Sequence, residues 1–326
     1  MSARTACFTT DDVFRDADAD LCLLSSDMVI FRTHRCILRT ASPFFRDMLS
    51  LPQPPHSGPA ALLDSSLISM SEDSPSIRLL LQFCYPRTSC PEPTLDNTAD
   101  VRRALALAHK FDIDVVREAA ERALTRLAKT APVSAYALAW AYELPNAARA
   151  SARASLCLPA PYLGAPEAPE LENLPMDALV RLSRYHDAVG AALRELADSK
   201  RPVLWIPHEE TFLAGPDGMM AAPAPCRHDL TAVSFAHVSQ DGPVATWVKA
   251  WWWEFVCAAV QDKSVAYSSE AIEGVLRSSL LKALRSAARC DFCGTANVED
   301  VLGRTTGRLK KEIERRVLEV PHDLPF

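Results

Sequence analysis

Between residues 18 and 51 the apolar positions change their spacing twice. Leu21 to Leu24 make an apolar run short enough for a buried strand, Ser25, Ser26 and Asp27 supply turn chemistry, and Met28 to Phe31 resume the run. The segment therefore predicts a β-hairpin. After His34 and Arg35 the spacing becomes helical, with Ile37, Leu38 and Ala41 on one face. Ser42-Pro43 reads as a helix start, a hydroxyl that can cap free N–H groups followed by a proline at the first helical position. Phe44, Phe45, Met48 and Leu49 then form the apolar face of a second short helix. A hairpin running into two short helices is a packing module, and nothing in it is arranged for catalysis.

Farther on, the pattern predicts helices separated by proline-rich breaks. Ser134–Leu144 and Ala147–Leu158 are alanine-rich, with Tyr136, Leu138, Trp140 and Leu144 as their bulky members. Met176–Tyr185 and Ala188–Leu196 read as a further helical pair. From Val244 a tryptophan-rich helix is expected, with Trp247, Trp251 and Phe255 on one core-facing side; Trp252 and Trp253 widen the apolar surface enough to cover a second face. Helices over Ser268–Leu284 and from about Val298 complete the pattern. The breaks are Pro52–Pro59, Leu158–Pro175, and Lys200–Pro243, the last of which shows no clear helical period. No internal repeat of solenoid length is present.

Composition narrows the classes. At 326 residues there is room for two domains, and 48% hydrophobic residues exclude a disordered chain. A net charge of −6 gives no basic excess to draw the chain to nucleic acid or anionic membrane. The window Trp247–Val260 is broken by Lys249 and Glu254 and is too short to span a bilayer, and the first residues lack an apolar signal core. The ten cysteines sit mostly singly in apolar segments, as Cys22, Cys36, Cys84 and Cys257 do, which reads as reduced thiols in the cytosol or nucleus.

The candidate chemistry is sparse. Cys290 and Cys293 have zinc-knuckle spacing, followed by Gly294. A complete site would need two more ligands, for which Cys226 with His228, or Cys257, are the candidates; the alternative is a helix end with Cys290 packed inward. No second C-x-x-C exists, so no cofactor is expected. The terminal helix carries Arg304, Arg308, Lys310, Lys311, Arg315 and Arg316, interleaved with Glu312, Glu314 and Glu319, which reads as a solvated face of i,i+4 pairs. His208-Glu209-Glu210 lacks the second histidine of a zincin, and no phosphate-binding or nucleophile-elbow motif occurs. An enzyme is not expected.

The first two-fifths of the chain resembles the BTB (POZ) domain, a family of protein–protein interaction modules. The residues that carry the resemblance are Asp20, Phe31, His34-Arg35, Leu38, Ser42, Phe44-Phe45 and Met48-Leu49. It continues in Leu67-Ile68-Ser69-Met70 as a third strand and in a helix from about Pro75 through Ile77, Leu80, Leu81 and Cys84 to Tyr85-Pro86. Val101–Leu127 then matches a terminal helical pair broken around Phe111-Asp112-Ile113-Asp114. The segments SPFFRDML and PSIRLLLQFCYP, with a proline-rich insert between them, are similar to stand-alone fungal members.

The resemblance implies an α+β BTB domain at about residues 11–128, with a BACK-like helical extension at 129–200, an irregular proline-rich region at 201–243 and a helical region at 244–326. It also implies that Asp20, His34 and Arg35 line a charged pocket near a dimer interface. The other role open to Asp20 and Arg35 is a buried carboxylate–guanidinium pair that fixes the hairpin against the helix. The implied function is protein binding through homo- or heterodimerisation, with no nucleic acid, membrane or small-molecule ligand. An adaptor for a cullin-type ubiquitin ligase is the alternative. Ser50–Leu63 lacks the carboxylate expected of such adaptors, and no substrate-binding module follows. A transcriptional regulator would need a DNA reader, which the sequence does not supply.

Overall fold

The computed structural model describes residues 8–51, 67–156, 158, 171, 174–207, 229–235, 244–261, 269–289 and 298–326. The chain forms two compact units, 1–148 and 149–326. The first is built on a four-stranded sheet of order β1-β3-β2-β4, comprising β1 (Thr9–Arg15), β2 (Leu21–Leu24), β3 (Val29–Thr33) and β4 (Leu67–Ser69). The β2–β3 hairpin is antiparallel, from Leu21 opposite Thr33 to Leu24 opposite Ile30, and β1 and β4 flank it in parallel. Ser25 closes the turn by accepting the Val29 N–H at 2.8 Å, and Met28 takes the left-handed conformation there at φ 64°. Leu21, Leu23 and Phe31 point into the core and are fully buried.

Strand β1 is absent from the hydrophobic pattern because its inward residues are Asp11 and Phe14, three apart rather than two. Asp11 is buried and fully engaged. One carboxylate oxygen accepts the N–H groups of Val13 and Phe14 at 2.8 and 3.0 Å, and the other takes Nε and Nη2 of Arg78 at 2.9 and 2.5 Å. Backbone donors on one oxygen and two guanidinium donors on the other leave this buried carboxylate with no unmet acceptor.

Among the described residues seven helices complete this region: α1 (Arg35–Ala41), α2 (Pro43–Met48), α3 (Ser74–Cys84), α4 (Thr98–Phe111), α5 (Asp114–Leu127), α6 (Pro132–Ala141) and α7 (Pro145–Ser155), the last of which crosses into the second unit. The caps follow sequence. Ser42, Asp73 and Asn97 accept the N–H of Phe45, Ser76 and Asp100, so α2, α3 and α4 each start on a short polar side chain. The break after Phe111 is a left-handed turn, with Asp112 at φ 52° and the N–H of Ile113 returning to the Ala108 carbonyl. Helix α6 ends the same way. Glu143 sits at φ 52°, and the Leu144 N–H reaches the Ala139 carbonyl at 2.8 Å. Both turns bury the next apolar residue, Ile113 or Leu144, which is the usual company of this helix ending.

In the second unit, α8 (Met176–Arg194) is one continuous helix where the sequence pattern predicts a pair. Leu182, Tyr185, Val189 and Leu193 carry the buried stripe straight through the expected break. A 3-10 turn over Glu195–Ala197 ends it. A second correction concerns the tryptophan segment. Residues Leu230–Phe235 and Val244–Lys249 form the antiparallel hairpin β5–β6, and α9 (Ala250–Gln261) starts only after it. Trp247 therefore lies on a strand and is 44% exposed, whereas Trp251, Trp252, Trp253 and Phe255 are all buried. Helix α9 buries most of its circumference, the face that Trp252 and Trp253 supply included, and leaves a narrow exposed stripe at Glu254 and Ala258.

Helices α10 (Ser269–Ala287) and α11 (Val298–Glu319) follow. Leu302, Thr305, Leu309, Ile313 and Val317 form the buried stripe of α11, and Thr305 accepts the Trp252 Nε1–H at 3.0 Å. Arg304, Arg315 and Arg316 pair with Asp300, Glu312 and Glu319 along the outer face, as the interleaved charges predict. No described helix is long and apolar enough to cross a membrane.

Two measurements follow from these contacts. A non-glycine residue at left-handed φ costs roughly 1 kcal/mol, so Glu143→Gly is expected to raise stability by about 0.5–1 kcal/mol in denaturant unfolding. Burial holds His186 and His322 down to about 4, and the two rings also repel each other's charge at His186. The ordinary value is 6.5, so unfolded chain binds more protons between these limits. Stability of the second unit should be intact above pH 6.5 and fall progressively as the pH drops toward 4. His322→Asn should flatten that slope in melting curves taken across the range.

Candidate functional site

The antiparallel register places the residues just outside the Leu21–Thr33 pair next to each other, so Asp20 and His34 flank the open end of the β2–β3 hairpin. Helix α1 begins at the next residue. Its N-cap position is His34, whose own side chain does not cap it. The Asp20 carboxylate does so from across the hairpin, accepting the Arg35 N–H at 2.7 Å. The His34 N–H donates to the Tyr85 hydroxyl at 3.1 Å. Two of the N–H groups that a helix start leaves open are thus met by side chains distant in sequence.

Arg35 completes the corner in an unexpected way. Its Nε donates to the main-chain carbonyl of Asp20 at 3.3 Å, and the carboxylate of Asp20 is occupied by the backbone N–H. Asp20 is exposed and Arg35 half-buried, so they do not form the buried carboxylate–guanidinium pair that was one of the two roles read from sequence. Asp11–Arg78 is an ion pair with a buried carboxylate and a half-exposed guanidinium, the Asp11 side chain at 0% and the Arg78 side chain at 45% exposure.

His34 faces the other way. Its Nδ1 lies 3.0 Å from the Tyr85 hydroxyl and its Nε2 lies 3.6 Å from Asp18, with Asp16 alongside. The Tyr85 hydroxyl thus meets both the main-chain N–H and the ring Nδ1 of His34. Ligand atoms of Asp16, Asp18 and His34 fall within 4.8 Å of one another. Tyr85 itself is packed edge-on against Phe14 with ring centroids 5.2 Å apart, and burial pushes its phenol up to about 12. It remains a neutral hydroxyl and a fixed anchor.

Asp20, His34 and Arg35 lie at one corner of the first unit, and Asp16, Asp18 and Tyr85 lie beside them. Tyr85 carried a signal only as the residue that closes α3. The other candidates do not join this surface. Cys290, Cys293, Cys226, His228 and His208-Glu209-Glu210 lie outside the described residues. Cys257 is half-buried on α9, its thiol pushed up to about 11 by burial. Cys22, Cys36, Cys84 and Cys90 form no disulfide among the described residues, and burial pushes Cys84 up to about 12.

The family model for the BTB/POZ domain aligns with residues 12–127. The chain carries a BTB/POZ domain at its N-terminus. That BTB/POZ domain is a protein-interaction module. No curated protein matches the chain. A mainly helical region follows the domain.

Because the Asp20 carboxylate serves a backbone N–H and Arg35 serves a carbonyl at the surface, their removal should differ in cost. Asp20→Ala is expected to destabilise the fold by about 1–2 kcal/mol, the cost of a lost helix cap. Arg35→Ala should cost about 0.5 kcal/mol or less. Equal losses in urea unfolding would contradict the assignment of the cap to Asp20.

Proposed function

We propose that this protein is a scaffold that self-associates through its BTB/POZ domain and presents its helical region to a second protein. The observation that carries the reading is the BTB/POZ match over residues 12–127, since that domain works by binding protein. The charged corner supports it. Asp16, Asp18 and Asp20 stand at the surface beside the half-buried Arg35, whose N–H is held by Asp20 while Tyr85 holds that of His34, a patch of mixed charge suited to setting register between partners. The wording of the α2 and α3 segments favours the stand-alone fungal branch of the family. Helices α6 to α8 are the place where a BACK-like extension would present further surface.

The full chain should scatter light as a particle of twice 35.8 kDa at micromolar concentration and fall toward 35.8 kDa on dilution. Arg35→Glu should shift that midpoint by about tenfold, equivalent to ~1.4 kcal/mol of association energy. A mass of one chain at every concentration would sink the self-association reading.

A further inference from the structure

The two left-handed helix endings face a common space. The α4–α5 turn and the end of α6 enclose a cleft of about 550 Å³, within the range of sites that hold a ligand or a peptide side chain. Its floor is apolar, made by the buried residues Leu105, Ala108 and Ile113. Its rim carries Asp112, Asp114 and Glu143, with His109, Arg117 and Tyr142 between them.

Charge at the rim is unevenly used. Arg117 is committed to main chain, its Nη2 donating to the carbonyls of Tyr142 and Glu143 at 3.4 and 3.2 Å, where it answers the negative end of α6. Arg102 adds a cation beside Tyr142. Asp112, Asp114 and Glu143 are exposed and form no ion pair among the described residues. Two of these three acids occupy left-handed positions that glycine would fill at lower cost, so the turns hold carboxylates at the rim against a local backbone preference.

We propose that this cleft receives an arginine side chain from an extended segment of a partner protein. The occupant follows from the lining. An arginine can lay its methylene stem over Leu105, Ala108 and Ile113 and bring its guanidinium among three unpaired carboxylates. Arginine suits the rim better than lysine because its planar fork is shared between two carboxylates at once. The proposal takes from the scaffold reading only that the ligand is protein, and it concerns a surface remote in sequence from Asp20, His34 and Arg35.

The test uses the full chain and a fluorescein-labelled peptide of alternating leucine and arginine, read by anisotropy. Its twin carries citrulline, the neutral isostere, at each arginine. Binding of the arginine peptide should weaken at least about tenfold with the citrulline twin, and about as much with the triple variant Asp112→Asn, Asp114→Asn, Glu143→Gln. Equal binding of the two peptides to the unaltered chain would overturn the proposal, and that arm does not depend on whether the variant folds. Undiminished binding by a folded variant would overturn it as well. Loss of the light-scattering dimer in the folded variant would identify the occupant as a second copy of this chain, again overturning it. Failure of the dimer in the unaltered chain leaves the peptide result intact, so the two readings fail separately.

Discussion

The hydroxyl of Ser42 is where the short helices, the long helical pair and the aromatic core of the first unit meet. It accepts the Phe45 N–H at 3.2 Å and donates to the Phe111 carbonyl at 2.5 Å, while the Ser42 N–H closes α1 on the Leu38 carbonyl at 3.0 Å. Helices of seven and six residues, such as α1 and α2, are too short to hold themselves in water. They persist because one buried serine ends the first with its N–H, while its hydroxyl starts the second and ties both to the last turn of α4. The ring stack of Phe45 on Phe111, with centroids 5.1 Å apart, then buries the joint. The left-handed turn at Asp112 comes immediately after this anchor, so its direction is inherited from Ser42.

The β2–β3 hairpin shows the same logic at both ends. At its open end Asp20 accepts the first N–H of α1, and at its turn Asp27 accepts the first N–H of α3, that of Ser74, at 2.8 Å. Asp27 also takes the Ser74 hydroxyl at 2.6 Å, and hydrogen bonds from Ser25 and Ser74 pull its carboxyl down to about 2. One strand pair thus orients two helices through two aspartates, and each carboxylate is spent on backbone and not on a cation. This explains why Asp20 and Arg35 can be neighbours without being an ion pair.

Much of this was legible in order and little of it in partnership. The hairpin, the Ser42-Pro43 helix start and the break after Phe111 each depend on residues within a few positions of one another, which sequence spacing reports directly. Strand β1 was hidden because a buried aspartate, not a hydrophobe, marks its inward face, and its guanidinium comes from Arg78, 67 positions later. Tyr85 reaches His34 across 51 positions, and no local pattern encodes that. In the second unit the pattern erred through local rules that packing overrode. His186-Asp187 reads as a break, yet α8 runs through it, with His186 bound to the Ser155 hydroxyl at 2.9 Å. Trp247 has helical spacing to Trp251 but belongs to a strand that pairs with Leu230–Phe235.

The burial of Trp251, Trp252 and Trp253 in α9 has a spectroscopic consequence. Of the six tryptophans, Trp140 alone lies in the first unit; Trp205, Trp247 and the α9 trio lie in the second. Indole emission is therefore almost a private signal of the second unit, whereas the backbone signal of the helices belongs to both. Following the two together separates the melting of one unit from that of the other without cutting the chain, and coincident curves would mean that they unfold as one.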